Sequence, residues 1–144
     1  MLTINSPRAQ GLVGKLATAG TARMGALSIE STLDLGAIVA VSLDGKPLAE
    51  SARVLVQVMT EEKPSEFAAD PLDGGRFRIT NLGRDPWLVR EATGTLRFQR
   101  ADAGQLKVTA LDENGQPVKT LAGGAAKVVL LPDIVYYLVE KQAE

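Results

Sequence analysis

The sequence predicts an all-β protein, an antiparallel β-sandwich of about ten short strands that forms a single domain over residues 1–144. Three observations predict this fold. Apolar and polar residues alternate with a period of two, turn-forming glycines interrupt these runs at short intervals, and no stretch shows a long amphipathic helical pattern. The length suits one hydrophobic core, because two independent domains of half this size would each be marginally stable.

The strands are predicted from alternation, which places one side chain in the core and the next in solvent. It is clear from Val54 to Val58, and it predicts that Phe77 and Phe98 both point into the core. Ala and Glu at residues 49–52 favour a helix, but the valines that follow favour a strand. The predicted strands are Leu2–Ile4, Gly11–Ala17, Leu27–Glu30, Ala37–Ser42, Arg53–Met59, Arg76–Thr80, Trp87–Arg90, Gly94–Phe98, Leu106–Ala110, Lys127–Leu131 and Val135–Val139.

Glycine-containing turns predict how some of these strands pair. Asn114-Gly115 predicts a hairpin between Lys107–Leu111 and Val118–Leu121, because both turn residues accept a positive φ. Asp44-Gly45 predicts a second hairpin, between the strand before it and the region of Leu48. Residues 61–75 are rich in Pro, Asp, Glu and Gly and predict a long exposed loop, for which a plain connection is favoured over a binding loop.

The composition excludes several functional classes. The chain has no Cys and no His, which excludes Cys nucleophiles, Ser-His-Asp triads and zinc sites built on either residue. Its 16 basic and 17 acidic residues are dispersed, so no concentrated positive surface for nucleic acid or anionic lipid is expected. The longest uncharged apolar stretch, Leu35–Leu43, is much shorter than the roughly 20 residues of a membrane-spanning helix. No cofactor is expected.

The acidic residues and glycine-rich segments do not form a convincing catalytic or metal-binding motif. A glycosidase needs two convergent carboxylates, whereas the acids here lie in predicted turns and in the predicted loop. Asp112–Gly115 has oxygen ligands near a glycine but lacks the remaining positions of a calcium loop. Gly11–Lys15 lacks the spacing of a phosphate-binding loop. We therefore predict no catalytic residue and no metal ligand.

Trp87 is the best candidate for ligand binding. Sugar recognition needs an exposed aromatic ring beside polar groups, and Trp87 has Arg84 and Arg90 close in sequence. The alternative is a buried or half-buried Trp87 that anchors the two sheets of a sandwich, and the scarcity of aromatic residues favours it. Tyr136 and Tyr137 should point to opposite faces of their strand, so at least one of them is expected to be structural.

Four segments together resemble a known module. They are Thr3–Gly11, Val41–Ser51 with its Ser-Leu-Asp-Gly-Lys-Pro-Leu run, Lys107–Gly115 and Tyr136–Val139. They resemble the C-terminal β-sandwich module of large bacterial glycoside-hydrolase-like proteins, in which the module follows a TIM-barrel domain. The resemblance implies a non-catalytic accessory domain, so it transfers no active-site residues to this chain.

Two functional hypotheses follow from the resemblance. The first is an accessory or structural domain, not itself an enzyme, that packs against the catalytic domain of the parent chain through an apolar patch on one sheet. The second is an autonomous carbohydrate-binding module that binds polysaccharide through Trp87. Met1 leads directly into strand-like sequence without the apolar core of a signal peptide, as expected of a domain excised from a longer protein. The parent is expected to be secreted or periplasmic.

Overall fold

The computed structural model describes residues 1–142, and this part of the chain is all-β with antiparallel strand pairing throughout. It forms two compact units, the sandwich unit (Met1–Thr60 with the described residues from Glu91 onward) and the hairpin unit (Glu61–Arg90). The strands are β1 (Leu2–Asn5), β2 (Ala9–Gly14), β3 (Thr21–Met24), β4 (Leu27–Glu30), β5 (Gly36–Ser42), β6 (Arg53–Thr60), β7 (Glu62–Ser65), β8 (Ala68–Leu72), β9 (Arg76–Asn81), β10 (Arg84–Val89), β11 (Thr95–Phe98), β12 (Leu106–Leu111), β13 (Pro117–Leu121), β14 (Val128–Val129) and β15 (Tyr136–Lys141). Helical structure in the described residues is confined to four three-residue 3₁₀ turns.

The sandwich unit consists of two sheets around one core. The larger sheet has seven strands in the order β1-β2-β5-β6-β15-β12-β13, and the smaller has four in the order β14-β11-β4-β3. Buried side chains from both sheets belong to one hydrophobic cluster. The predicted all-β fold is confirmed, and this unit has the two-layer arrangement of a β-sandwich.

Alternation decides which residues enter the core. Val54, Val56 and Val58 of β6 are buried, whereas Leu55 and Gln57 between them are only half-buried. Burying a side chain of this size contributes about 1.5–3 kcal/mol, so β6 alone supplies several kcal/mol. The strand prediction for this segment is confirmed.

Several details of the sandwich unit differ from the sequence-based expectations. The predicted Asn114-Gly115 hairpin is confirmed by the pairing of β12 with β13. Leu48, however, is buried in a turn, and the strand that pairs with β5 is β6, because the connection from residue 43 to residue 52 is longer than a tight hairpin. β2 ends at Gly14, and β3 occupies a segment with no predicted strand.

We predicted an exposed loop for residues 61–75. The segment is exposed as predicted, but the prediction that it lacks strands is wrong. This segment contains β7 and β8 and leads through a tight 3₁₀ turn at Asp73–Gly75 into β9. None of its residues is buried. Proline and acidic residues concealed the strands, since they are depleted from central strands yet tolerated in edge strands.

Candidate functional site

The hairpin unit is a long antiparallel excursion of the chain, made of two successive ladders. The inner ladder pairs β8 with β9, and the outer ladder pairs β7 with β10. The Arg90 backbone N–H donates to the Glu61 carbonyl oxygen at 2.8 Å and closes the outer ladder. At the junction of the ladders Gly83 has a φ of 77°, and a Cβ there would lie 2.7 Å from the Pro64 Cβ, so this position requires glycine.

The hairpin unit has no buried residue, although it carries a large share of the apolar surface. Large hydrophobic side chains that are exposed number fourteen in the described part of the chain, and seven of them lie within these thirty residues. A two-stranded ribbon without a core is only marginally stable in water. The seven are Leu72, Phe77, Ile79, Leu82, Trp87, Leu88 and Val89.

Phe77 illustrates the point, because the sequence pattern predicts it to be a core residue. That prediction is wrong, since Phe77 is 68% exposed, whereas Phe98 is buried as predicted. Alternation on β9 does place Phe77 and Ile79 on one face, opposite Pro71 and Ala69 of β8. The face has no second sheet over it within the unit, so the same pattern that builds a core elsewhere produces an exposed apolar face here.

Three of the seven exposed hydrophobic side chains lie on one face of the hairpin unit. The inner ladder supplies Phe77 and Ile79, and the outer ladder supplies Leu88, which lies directly opposite Lys63. Two adjoining shallow grooves, with volumes of about 480 and 690 Å³, run along it and share Lys63 and Phe67. We call this surface the Phe77 face, defined by Lys63, Phe67, Ala69, Phe77, Ile79 and Leu88.

Charged groups line one end of the Phe77 face. Arg90 Nε lies 2.8 Å from Glu61 Oε2, and both residues line the smaller groove together with Lys63. The Lys63 side chain has no hydrogen bond or ion pair among residues 1–142. The lining of this groove therefore has two basic residues, Lys63 and Arg90, and two acidic ones, Glu61 and Glu62.

Trp87 lies on the other face of the outer ladder. It is directly opposite Pro64, and the alternation of β10 turns it away from Leu88. The indole is 59% exposed, so the expectation that Trp87 is a buried or half-buried anchor between two sheets is wrong. An exposed aromatic ring of this kind can stack on an apolar or sugar surface.

The structure does not gather the three predicted ligand-binding residues into one subsite. Arg90 lines the groove on the face opposite Trp87 and pairs with Glu61. Arg84 Nη2 lies 2.5 Å from Glu66 Oε1, and a β-bulge separates Arg84 from Trp87. Trp87 is therefore the exposed member of the set, and both arginines are engaged in ion pairs.

The strongest carboxylate networks lie in the sandwich unit and are structural. Asp44 accepts hydrogen bonds from the hydroxyl of Ser51 at 2.8 Å and the backbone N–H of Ala52 at 2.8 Å. These bonds, that of Ser51 first, hold the pKa of Asp44 well below its ordinary value. The Ser-Leu-Asp-Gly run, on which the family resemblance partly rests, is therefore a turn held by hydrogen bonds from nearby residues to Asp44.

A second network surrounds Arg100, whose side chain is only 5% exposed. Its guanidinium donates to both carboxylate oxygens of Asp102, at 2.5 and 2.8 Å, and to the backbone carbonyls of Leu48 and Ser51. The Arg100 hydrogen bonds lower the pKa of Asp102 to about 2, with a further contribution from Lys141. Four of the five N–H donors of the guanidinium are therefore used inside the fold.

Residues 1–142 contain no group of three or more acidic side chains arranged to hold a metal ion. Asp112, in the segment weighed as a calcium loop, instead accepts the backbone N–H groups of Asn114 and Gln116 at 2.9 and 2.7 Å. No helix in this part of the chain is long and apolar enough to cross a membrane.

The Phe77 face was not predicted from the sequence, although one signal could have revealed it. Asp73-Gly74-Gly75 separates two runs that alternate in phase, with Ala69 and Pro71 before it and Phe77 and Ile79 after it. That is the signature of a hairpin with one apolar face. The sequence pattern does not show whether a second sheet covers that face.

Comparison of the chain with protein-family models, with curated proteins and with solved structures found no match. The resemblance to the accessory module of glycoside-hydrolase-like proteins therefore stays a prediction.

Proposed function

We propose that this chain is a non-catalytic accessory domain that packs against another folded protein domain through the Phe77 face. The observation that carries the proposal is the hairpin unit itself, in which thirty residues contain no buried side chain and seven large exposed hydrophobic ones. Three of the seven, Phe77, Ile79 and Leu88, lie on the Phe77 face, and exposed apolar patches of this kind are typical of interaction surfaces.

The partner in this proposal is the catalytic domain of a bacterial glycoside-hydrolase-like parent chain. The family resemblance supplies that context, since such modules follow a TIM barrel. Two features of the hairpin unit support a protein partner over a small ligand. The grooves on the Phe77 face are shallow, and the face combines aromatic and aliphatic side chains with charged groups at one end.

Carbohydrate binding is the second candidate, and the exposed indole of Trp87 favours it. This ring lies on the face opposite Leu88, so the two candidates use different surfaces of the same ladder. Sugar stacking would need Trp87 and the flanking polar groups, and it would not need Phe77 or Ile79. The two functions can therefore be separated by mutation.

A titration with two ligands and two variants tests the proposal. Calorimetry measures binding of the parent catalytic domain, and fluorescence of Trp87, the only Trp in the chain, measures binding of a polysaccharide panel. We expect Phe77→Ser with Ile79→Ser to abolish domain binding, and Trp87→Ala to leave most of it. The proposal fails if the wild-type chain ignores the domain, and a saturable sugar response lost only in Trp87→Ala would establish the second candidate.

A further inference from the structure

The seven-stranded sheet is apolar on the side that points away from the hydrophobic core as well as on the core side. On β5 the core receives Ile38 and Ala40, so alternation directs Ala37, Val39 and Val41 to the outer side. Ala37 is buried and yet is not a member of the core cluster, as expected of a residue on the outer side. A nearly continuous apolar run of this kind is typical of strands that are covered on both sides.

The neighbouring strands continue this apolar surface. One row across β5, β6 and β15 consists of Val41, Leu55 and Leu138, and the next row consists of Val39, Gln57 and Tyr136. None of these six side chains is charged. Met59 follows Gln57 on the same side of β6 and is 51% exposed. We call this surface the outer face, defined by Val39, Val41, Leu55, Met59, Tyr136 and Leu138.

Among the outward side chains of β5, β6, β15 and β12, charge is confined to one end. Arg53, Glu140 and Lys107 lie side by side across β6, β15 and β12, and Arg53 Nε lies 3.2 Å from Glu140 Oε1. An antiparallel sheet with one solvated side usually carries polar residues along the whole of that side. The outer face lacks this polar pattern, so its composition is that of an interface with a charged rim at one end.

The area of the outer face also suits a protein interface. Seven strands that are about 4.8 Å apart and about five residues long cover roughly 34 by 17 Å, on the order of 600 Å². Two such faces in contact bury on the order of 1,200 Å² together, which is at the lower end of the range for specific interfaces.

The two halves of the outer face, on either side of β6, differ in side-chain size. β2 and β5 present small residues such as Gly11 and Val39, whereas β15 and β12 present the larger Tyr136, Leu138 and Leu111. A two-fold axis that runs parallel to β6 above the sheet exchanges the two halves. The larger half of one copy then packs on the smaller half of the other, which is the self-complementarity that an isologous interface requires.

We propose that the occupant of the outer face is a second copy of this chain, packed sheet on sheet about this two-fold axis. In this arrangement β6 lies over β6 of the partner subunit, and β5 lies over the partner's β15. The strands of the two sheets stay nearly aligned, as in other face-to-face sheet packings. The outer face and the Phe77 face are different surfaces, so this inference goes beyond the proposed docking function and does not depend on it.

Sedimentation velocity over a concentration series tests the inference. For an interface of this size we expect the wild-type chain to be largely dimeric at about 100 μM and largely monomeric at about 1 μM. Leu55→Lys places two ammonium groups near each other at the two-fold axis, among apolar side chains. It should raise the dissociation constant of the dimer by about tenfold or more. A wild-type chain that stays monomeric at about 100 μM would overturn the inference.

A second pair of variants keeps the test independent of whether Leu55→Lys folds. Met59 on the outer face and Val129 on β14 of the four-stranded sheet are 51% and 52% exposed, so a Lys at either position is compatible with the folded monomer. We expect Met59→Lys to weaken the dimer and Val129→Lys to leave it unchanged. Equal dissociation constants of these two variants would overturn the inference.

Val39→Phe tests the two-fold arrangement itself. The substitution adds apolar area to the outer face, so non-specific hydrophobic association would become stronger. In the proposed arrangement the added ring meets Tyr136 of the partner subunit, and we expect a weaker dimer because the two large side chains overfill the interface. A stronger dimer would overturn the arrangement.

Two further measurements separate this inference from the proposed docking function. Phe77→Ser should leave the dimer intact, and a dimer that this variant dissociates would move self-association to the Phe77 face and overturn the inference. Dissociation of the wild-type dimer by the parent catalytic domain would assign the outer face to that domain and also overturn it. An intact dimer that fails to bind the domain would count against the proposed docking function alone.

Discussion

Arg100 connects two distant turns of the sandwich unit. Its buried guanidinium joins the Asp102 carboxylate to the carbonyls of Leu48 and Ser51, which are about fifty positions earlier in the chain. Arg suits this position because its planar group offers several donors in a fixed arrangement, which Lys does not. The sequence identified none of these partners, since a lone Arg among strands gives no sign of burial.

Removing the Arg100 charge should destabilise the fold. We expect Arg100→Met to lower the free energy of unfolding by about 2–3 kcal/mol, because two backbone carbonyls and a carboxylate lose their donors while Asp102 stays partly hydrated. Arg97→Met, on a neighbouring strand, is the matched control and should change stability by less than about 0.5 kcal/mol. Urea denaturation measures both, and equal stabilities of the two variants would contradict this role of Arg100.

Asp102 should give the protein a specific acid sensitivity. Its pKa is lowered from 3.8 to about 2 by Arg100 and Lys141, so the folded state binds this proton less readily than the unfolded state does. The stabilisation is then complete above about pH 4 and is lost as the pH falls towards 2. Unfolding of wild type and Asp102→Asn between pH 5 and about 2 should show their stability difference shrinking with acid, and a constant difference would contradict the assignment.

Tyr137 supports the core through one hydrogen bond as well as through its ring. The ring is fully buried, and its hydroxyl oxygen accepts the Leu131 backbone N–H at 2.7 Å. Burial raises the pKa of this hydroxyl. We expect Tyr137→Phe to cost about 1 kcal/mol by thermal denaturation, because the N–H loses its acceptor, while Tyr136→Phe on the other side of β15 should be close to neutral.

At the scale of elements, the sequence predicted strands well wherever alternation coincided with burial. β6, β11 and β12 were predicted to within about two residues, because each presents one apolar face to the core. β7 and β8 were missed because their prolines and acids belong to two-stranded ladders whose strands are all edges. The face on which a function is proposed was missed for a different reason, since alternation reports apolar faces without showing what covers them.

Two phenylalanines in equivalent sequence patterns test this distinction. Phe98 is buried in the sandwich core and Phe77 is exposed in the hairpin unit. We expect Phe98→Ala to lower the free energy of unfolding by about 3–5 kcal/mol and Phe77→Ala by less than about 0.5 kcal/mol. Comparable losses in guanidinium denaturation would mean that Phe77 is part of the core after all.

In the whole molecule, the buried core and the proposed docking surface belong to different units. The sandwich unit contains every buried residue of the described chain, whereas the hairpin unit contains half of the large exposed hydrophobic ones. A fold that concentrates apolar surface in a segment without a core gains little stability from that segment alone. A partner that packs on the hairpin unit would supply the stability that this unit lacks on its own.

Hydrogen exchange across residues 61–90 shows whether a partner stabilises the hairpin unit. In the isolated chain the amides of β7 to β10 should exchange far faster than those of β6 and β12, because no side chain covers their hydrogen bonds. Adding the proposed partner, the catalytic domain of the parent chain, should slow exchange in β7 to β10 and leave β6 and β12 unchanged. Exchange in the isolated chain as slow as in the core, or no added protection with the domain, would contradict the account.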